Sequence, residues 1–208
     1  MTNLVFGGGS ASDYDIDQSL RFEDGDSAYL SRTPGSAGDR KTWTYSAWVK
    51  HTNIGSGMVL LSAGTDNNNR LYINIQTDDT VVIGHSVSAS YTNWRYSSQV
   101  FRDPSAWYHF VITLDTTQAT GSDRVKMYVN GAQITAFSES NDPTQNADSY
   151  VNNTVLHTIQ ANAGLTATFD GYLAEVHFID GTALDASSFG ETDAATNQWK
   201  PIEATGLT

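Results

Sequence analysis

Apolar positions in this chain recur at every second residue, in short runs broken by turn-forming residues. Residues 42–51 (TWTYSAWVKH) put Trp43, Tyr45, Ala47 and Val49 on one face, the alternation of a half-buried strand. Residues 106–115 (AWYHFVITLD) open on an aromatic pair and then continue as a strand. Residues 124–137 (RVKMYVNGAQITAF) form two β-runs joined at Asn130-Gly131, a pair suited to the two left-handed positions of a type I′ hairpin. Residues 169–180 (FDGYLAEVHFID) give another strand. Earlier, SLRF and SAYLSR flank Asp24-Gly25, which predicts a hairpin turn. MVLLSAG, RLYINIQ and TVVIG follow, separated by turns at 66–69 and 78–79, then the polar-aromatic run SVSASYTNWRYSSQVF and a late TVLHTIQA. The one helical candidate is LDASSFGE, where Asp185 can cap a single turn. Short strands, frequent turns and no helical period predict an all-β fold, a two-sheet antiparallel β-sandwich with jelly-roll connections.

The 208 residues suit one such domain with extensions. We divide them into an N-terminal arm (1–18), a sandwich (19–191) and a C-terminal tail (192–208). The arm holds Gly7-Gly8-Gly9-Ser10, and its apolar Leu4, Val5 and Phe6 are candidates for docking on a neighbour. Trp199, beside Lys200-Pro201, is the docking candidate in the tail. With 11 Lys and Arg against 23 Asp and Glu, the net charge is −12. Nucleic acid is therefore not an expected partner, since phosphate recognition needs clustered cations. No apolar stretch approaches the ~20 residues that cross a bilayer, so membrane insertion is not expected. Cysteine is absent, which removes disulfides and thiolate chemistry and suits assembly in a reducing cytosol. MTNLVFGGGS has no basic leader region, so no secretory signal is expected.

Several segments, taken in order, carry a resemblance: SLRF–DG–SAYL, YSAWVK, AWYHFVITLD, KMYVNGAQI and DGYLAEVHFIDGTAL. Together they resemble the laminin-G-like branch of the concanavalin A-like lectin/glucanase superfamily over roughly residues 19–191. More narrowly, SLRFEDGDSAYLSRT, VFRDPSAWYHFV, VNGAQIT and the segment from FDGYLAEVHFIDGTAL to QWKP look like laminin-G-like proteins of marine bacteriophages. That resemblance implies a non-enzymatic virion structural protein: a fibre, tail-appendage or head-decoration subunit. It would be made in the host cytoplasm and exposed on the particle, with other virion proteins and further copies of itself as partners. Adsorption to host or environmental glycans would fit the same role. The alternatives are a free-standing carbohydrate-binding lectin and, behind it, a glycoside hydrolase, because the superfamily's fold does not choose among them.

The residues argue against hydrolysis by the superfamily's route. Its enzymes carry Glu-x-Asp-x-Glu on one strand, so that alternation aims paired carboxylates into a cleft. Here Glu175 is followed by His177 and Ile179, so the expectation is no catalytic residue and a polar network ending at Glu175. The five histidines form no i, i+4 metal pair, and His109, between Tyr108 and Phe110, reads as a structural histidine. For sugar binding the candidates are Tyr91, Asn93, Trp94, Arg95 and Tyr96, which supply aromatic faces, an amide and a guanidinium. Against this, Trp94 and Tyr96 would share a strand face with Val100, which reads as core packing for at least one ring. No cofactor is implied. Calcium is the one ion the loop at 138–153 would suit, with Glu139, Asp142 and Asp148 as hard oxygen ligands.

Overall fold

β-Branched and aromatic residues at alternate positions draw the chain into fifteen strands among the described residues. The computed structural model describes residues 14–166 and 170–207. The first strands are β1 (Leu20–Phe22), β2 (Leu30–Arg32), β3 (Thr42–His51), β4 (Met58–Asp66) and β5 (Asn69–Ile75). Next come β6 (Thr80–Val87), β7 (Ser90–Val100), β8 (Tyr108–Asp115), β9 (Val125–Val129) and β10 (Ala132–Gln133). The last are β11 (Phe137–Ser140), β12 (Leu156–Ile159), β13 (Gly171–Asp180), β14 (Gly190–Thr192) and β15 (Trp199–Pro201). A six-stranded sheet runs β1-β13-β3-β8-β9-β10 and a seven-stranded sheet β11-β7-β6-β5-β4-β12-β2. Between them lies one apolar cluster. β3 gives it Trp43, Tyr45, Ala47 and Val49, the row read from the sequence, and Phe110 and Ile112 join them from β8. Leu71, Ile73, Val81 and Ile83 face them from β5 and β6. Each such side chain, taken fully out of water, contributes roughly 1.5–3 kcal/mol.

Of the two turns with the clearest sequence signatures, one forms as expected and the other does not. Asn130 (φ 46°) and Gly131 (φ 81°) make the expected two-residue hairpin between β9 and β10. Asp24-Gly25 does not make one. β1 pairs with β13 and β2 with β12, so residues 24–26 form a 3-10 turn that carries the chain from one sheet to the other. The Asp24 amide is held there by the Asp170 carboxylate (2.9 Å), a contact no local reading includes.

The C-terminal segment is folded onto its own chain. β14 and β15 pair with each other, and residue 191, the expected domain boundary, lies inside β14. Val111, Ala186 and Phe189 form a second cluster with Tyr128, Ile179, Leu184, Trp199 and Leu207, over the face of the six-stranded sheet turned away from the core. Trp199, expected at a subunit contact, is instead an internal anchor. Its indole stacks on His109 (6.0 Å between centroids, 17°), and its Nε1 donates to His109 Nδ1 at 3.0 Å. Gly131 and Gly190 make room for the ring, since a Cβ at either would lie within 2.5 Å of it. The other docking candidates, Leu4, Val5 and Phe6, lie outside the described residues.

Candidate functional site

On β5 the inward residues are Leu71, Ile73 and Ile75, which leaves Arg70, Tyr72 and Asn74 on the outward face of the seven-stranded sheet. Cross-strand pairing then sets the rows of that face. One row runs Thr158, Ser62, Tyr72, Gly84, Asn93. A second runs Val59, Asn74, Val82, Tyr96, Glu139. The third runs Gly64, Arg70, Ser86, Tyr91. Three phenols, two amides, a carboxylate and a guanidinium therefore meet on one sheet surface. Gly84 is what allows this: a Cβ there would fall 2.3 Å from the Tyr72 ring, so Tyr72 lies across the glycine and donates to Asn93 Oδ1 (3.2 Å). Asn93 in turn donates to Glu139 Oε2 (2.8 Å), and Tyr96 donates to Asp78 Oδ2 (2.9 Å).

The electrostatics fit this closeness. Burial pushes the Tyr72 hydroxyl above its ordinary range; Arg70 opposes the rise, while Tyr91, Glu139 and Tyr96 add to it. Tyr96 is likewise raised, first by burial and then with Asp78 and Glu139 contributing. Tyr72 is nearly buried at 7% exposure, whereas Tyr91 is 54% exposed and offers a ring to solvent. Ser62 Oγ and Asn74 Oδ1, on the same face, are buried with no hydrogen bond among the described residues.

The sugar-binding candidates on β7 thus divide. Tyr91, Asn93 and Tyr96 are brought together on the outward face. Trp94 and Arg95 are not, because a register shift opposite Ile83 and Gly84 interrupts the strand's alternation. Trp94 is 5% exposed, belongs to the inter-sheet core and stacks on His85 (5.0 Å, 23°). Arg95 is 2% exposed, paired with Asp142 at 2.7 Å and lying over Phe137. Neither offers a surface to a sugar. Val100, expected in the core with Trp94 and Tyr96, is 44% exposed.

The calcium candidates do not converge. Asp142 is occupied by Arg95, Asp148 pairs with Arg40 (3.2 Å), and Glu139 accepts from Asn93 on the sheet face. Among the described residues, no group of three or more His, Cys, Asp or Glu could hold a metal ion. Glu175 lies at a bulge in β13 (φ 46°), accepting from Tyr14 Oη (2.8 Å) and sitting 2.9 Å from His177 Nε2. His109 is buried, and that burial, with the nearby His177 charge, brings its imidazole down to about 3. As it accepts from Trp199 at Nδ1, its proton sits on Nε2, towards Ser46 Oγ (2.8 Å). The sequence reading passed over Arg70, Tyr72 and Asn74. Their alternation within RLYINIQ was the available signal, since a strand that buries Leu71, Ile73 and Ile75 must aim those three the other way.

Comparison with known proteins agrees with this architecture. Domain 4 of the extracellular arabinanase AbnA from Geobacillus stearothermophilus, in complex with arabinotriose, matches with a TM-score of 0.55 and 20% identity over 72% of this chain. Domains LG4-5 of the mouse laminin alpha1 chain match with a TM-score of 0.56 and 11% identity over 85% of it. NanB sialidase from Streptococcus pneumoniae matches with a TM-score of 0.55 and 15% identity over 84%. The matched regions span 65%, 45% and 28% of those chains. At these identities the likeness is one of fold. No curated protein matches the sequence. A laminin-G-type family model, described as the Concanavalin A-like lectin/glucanases superfamily, matches residues 24–188, most of the chain, and the protein belongs to that superfamily.

Proposed function

We propose that this chain is a non-catalytic glycan-binding sandwich, carried as a structural subunit on the surface of a bacteriophage particle. Its binding surface is the outward face of the seven-stranded sheet. The observation that carries the glycan part is the set of Tyr72, Tyr91, Asn93, Tyr96 and Glu139 on that face. Phenol rings pack on the C–H side of a sugar, while amides and carboxylates pair with its hydroxyls. Arabinotriose bound to a domain of the same fold supports the reading by analogy. The non-catalytic part is supported by Glu175, whose neighbours on β13 are His177 and Ile179 in place of paired carboxylates. The particle part rests on the resemblance of the sequence motifs to phage virion proteins.

A glycan array tests the first part with the wild type, Tyr91→Ala and Asn93→Ala. We expect the wild type to bind at least one oligosaccharide without releasing product. Both variants should lose about tenfold or more in affinity, the scale of one to three lost contacts, with unfolding unchanged in Tyr91→Ala, whose ring is exposed. A folded wild type that binds nothing on the array would overturn the reading, and released reducing sugar would replace it with hydrolysis. A cryo-EM map of the particle tests the second part. The domain at symmetric surface sites supports a virion subunit, and its absence there leaves a free-standing lectin.

A further inference from the structure

One side of the sandwich is left open, where β2 ends the seven-stranded sheet and β1 and β13 end the six-stranded one. β1 covers only residues 171–173 of β13, so beyond Leu173 that strand has a strand partner on one side alone among the described residues, β3. Val176 and Phe178, on this uncovered stretch, line a cavity of about 300 Å³ together with Leu30 of β2, and the buried Tyr45 and Leu61 form its floor. A second cavity of about 240 Å³, bordered by Leu20, shares Leu30, Ile159 and Val176 with the first, so the two make one groove. Leu20, Leu30, Val176 and Phe178 are 37–55% exposed, which places four of the ten large apolar side chains left in solvent, among the described residues, along this groove. Such a concentration marks a surface that another segment covers. Its histidine asks for no polar ligand: His157 has both ring nitrogens engaged, by the Asn152 amide and the Val155 carbonyl (2.9 Å each).

The chain's own N-terminal arm leads to this groove. Tyr14 Oη donates to Glu175 Oε1 (2.8 Å), and Glu175 immediately precedes Val176, so the described residues begin beside the groove. Before Tyr14 the sequence carries Leu4-Val5-Phe6, separated from it by Gly7-Gly8-Gly9-Ser10 and residues 11–13. The eight steps from Tyr14 to Phe6 span up to about 26 Å, whereas Phe178 lies three residues from Glu175, about 10 Å along a strand. In extended backbone Leu4 and Phe6 point to one side, the same two-residue spacing as Val176 and Phe178. Arg32 also lines the groove and pairs with no carboxylate among the described residues, and Asp13 is the one charged side chain of residues 1–13. We propose that residues 4–6 lie in this groove of their own chain, with Leu4 and Phe6 packed against Leu30, Val176 and Phe178. A short flexible tether gives the arm an effective concentration in the millimolar range, so it fills the groove ahead of the arm of a second copy. The groove is separate from the outward face of the seven-stranded sheet, and the inference does not depend on the glycan reading.

Disulfide trapping in the full chain tests this without background, because the sequence holds no cysteine. Gly7→Cys, beside the apolar triplet, is paired in one protein with Ser31→Cys, an exposed position lining the groove. In a control it is paired with Glu203→Cys, also exposed and near enough to Tyr14 to act on its hydroxyl, but outside the groove's lining. In dilute protein under glutathione disulfide, the Ser31 pair should close within one chain about tenfold or more faster than the Glu203 pair, the scale of burying one apolar side chain. Adding Leu4→Asp and Phe6→Asp to both proteins should make the two rates equal. Equal rates before those changes would overturn the inference, since an undocked arm visits both positions alike. A preference that survives Leu4→Asp and Phe6→Asp would overturn it as well. Disulfide-linked dimers in place of closed monomers would assign the groove to the arm of a second copy and overturn the reading within one chain. Urea midpoints of the reduced proteins check that each variant is folded, and the exposure of Ser31 and Glu203 leads us to expect no change there.

Discussion

The outward faces of the two sheets were put to opposite uses. On the six-stranded sheet, Trp48, His109 and Val111 point away from the core, and the C-terminal segment closes over them with Phe189 and Trp199. On the seven-stranded sheet the outward positions are Arg70, Tyr72, Asn74, Asn93 and Tyr96; Tyr72 bonds to Asn93, Asn93 to Glu139, and Tyr96 to Asp78. One face buries its polar atom: His109 is kept neutral and doubly bonded between two indoles. The other leaves Tyr91 exposed and Asn93 and Tyr96 half-buried at the surface. The first therefore supplies stability and the second, on the reading we propose, recognition, and substitutions separate the two.

The sharpest separation lies within β7 itself. Trp94→Ala removes an indole from the core and is expected to cost about 3–5 kcal/mol, read as a lower urea midpoint. Tyr91→Ala, on the outward face, is expected to change stability by no more than about 0.5 kcal/mol. A Trp94→Ala protein of unchanged midpoint that had lost only glycan affinity would break the contrast. Next in size, Trp199→Ala should cost about 2–4 kcal/mol, because it uncovers the second cluster and leaves His109 Nδ1 unpaired. Glycan affinity should not change.

The covered face also predicts an acid response that the polar face does not. The folded His109 titrates at about 3, below the ordinary 6.5, so the unfolded chain takes up the proton first. The neutral imidazole's contribution is complete above pH 6.5 and is lost as the pH falls towards 3, by up to about 1.4 kcal/mol per pH unit. Urea midpoints for the wild type and His109→Gln, compared from pH 7 to 4, should converge as the pH drops. Curves that stay parallel would remove His109 from the account. The smallest expected effect is at the β6–β7 hairpin, where Ala89 holds a φ of 63°. Ala89→Gly should raise stability by about 1 kcal/mol by relieving a left-handed alanine, seen as a small rise in Tm.

That hairpin also shows where the sequence misleads. Val87 pairs with Ser90 across a two-residue turn at Ser88-Ala89, both left-handed. Neither residue advertises such a turn as Asn130-Gly131 does, so 86–101 reads as one run. The turn is held by contacts from another hairpin: Asn68 O accepts from the Ala89 amide, and Asn69 Oδ1 from that of Ser88. Asp24-Gly25 errs the other way, a strong local signal overridden when its flanking strands joined different sheets. Within the candidate site, Tyr91, Asn93 and Tyr96 were legible as a chemical set. The separation of Trp94 and Arg95 from them was not, because a bulge leaves no mark in the pattern of apolar positions.

The sequence by itself determined the all-β class, the inward row of β3, the Asn-Gly hairpin and the superfamily, since each depends on short-range alternation or on motifs carried in order. Only the tertiary structure decided which polar residues share a face and that Trp199 closes on His109. These depend on register between strands far apart in sequence and on which sheet each strand joins. A shift of a single residue in that register sends a side chain to the opposite face.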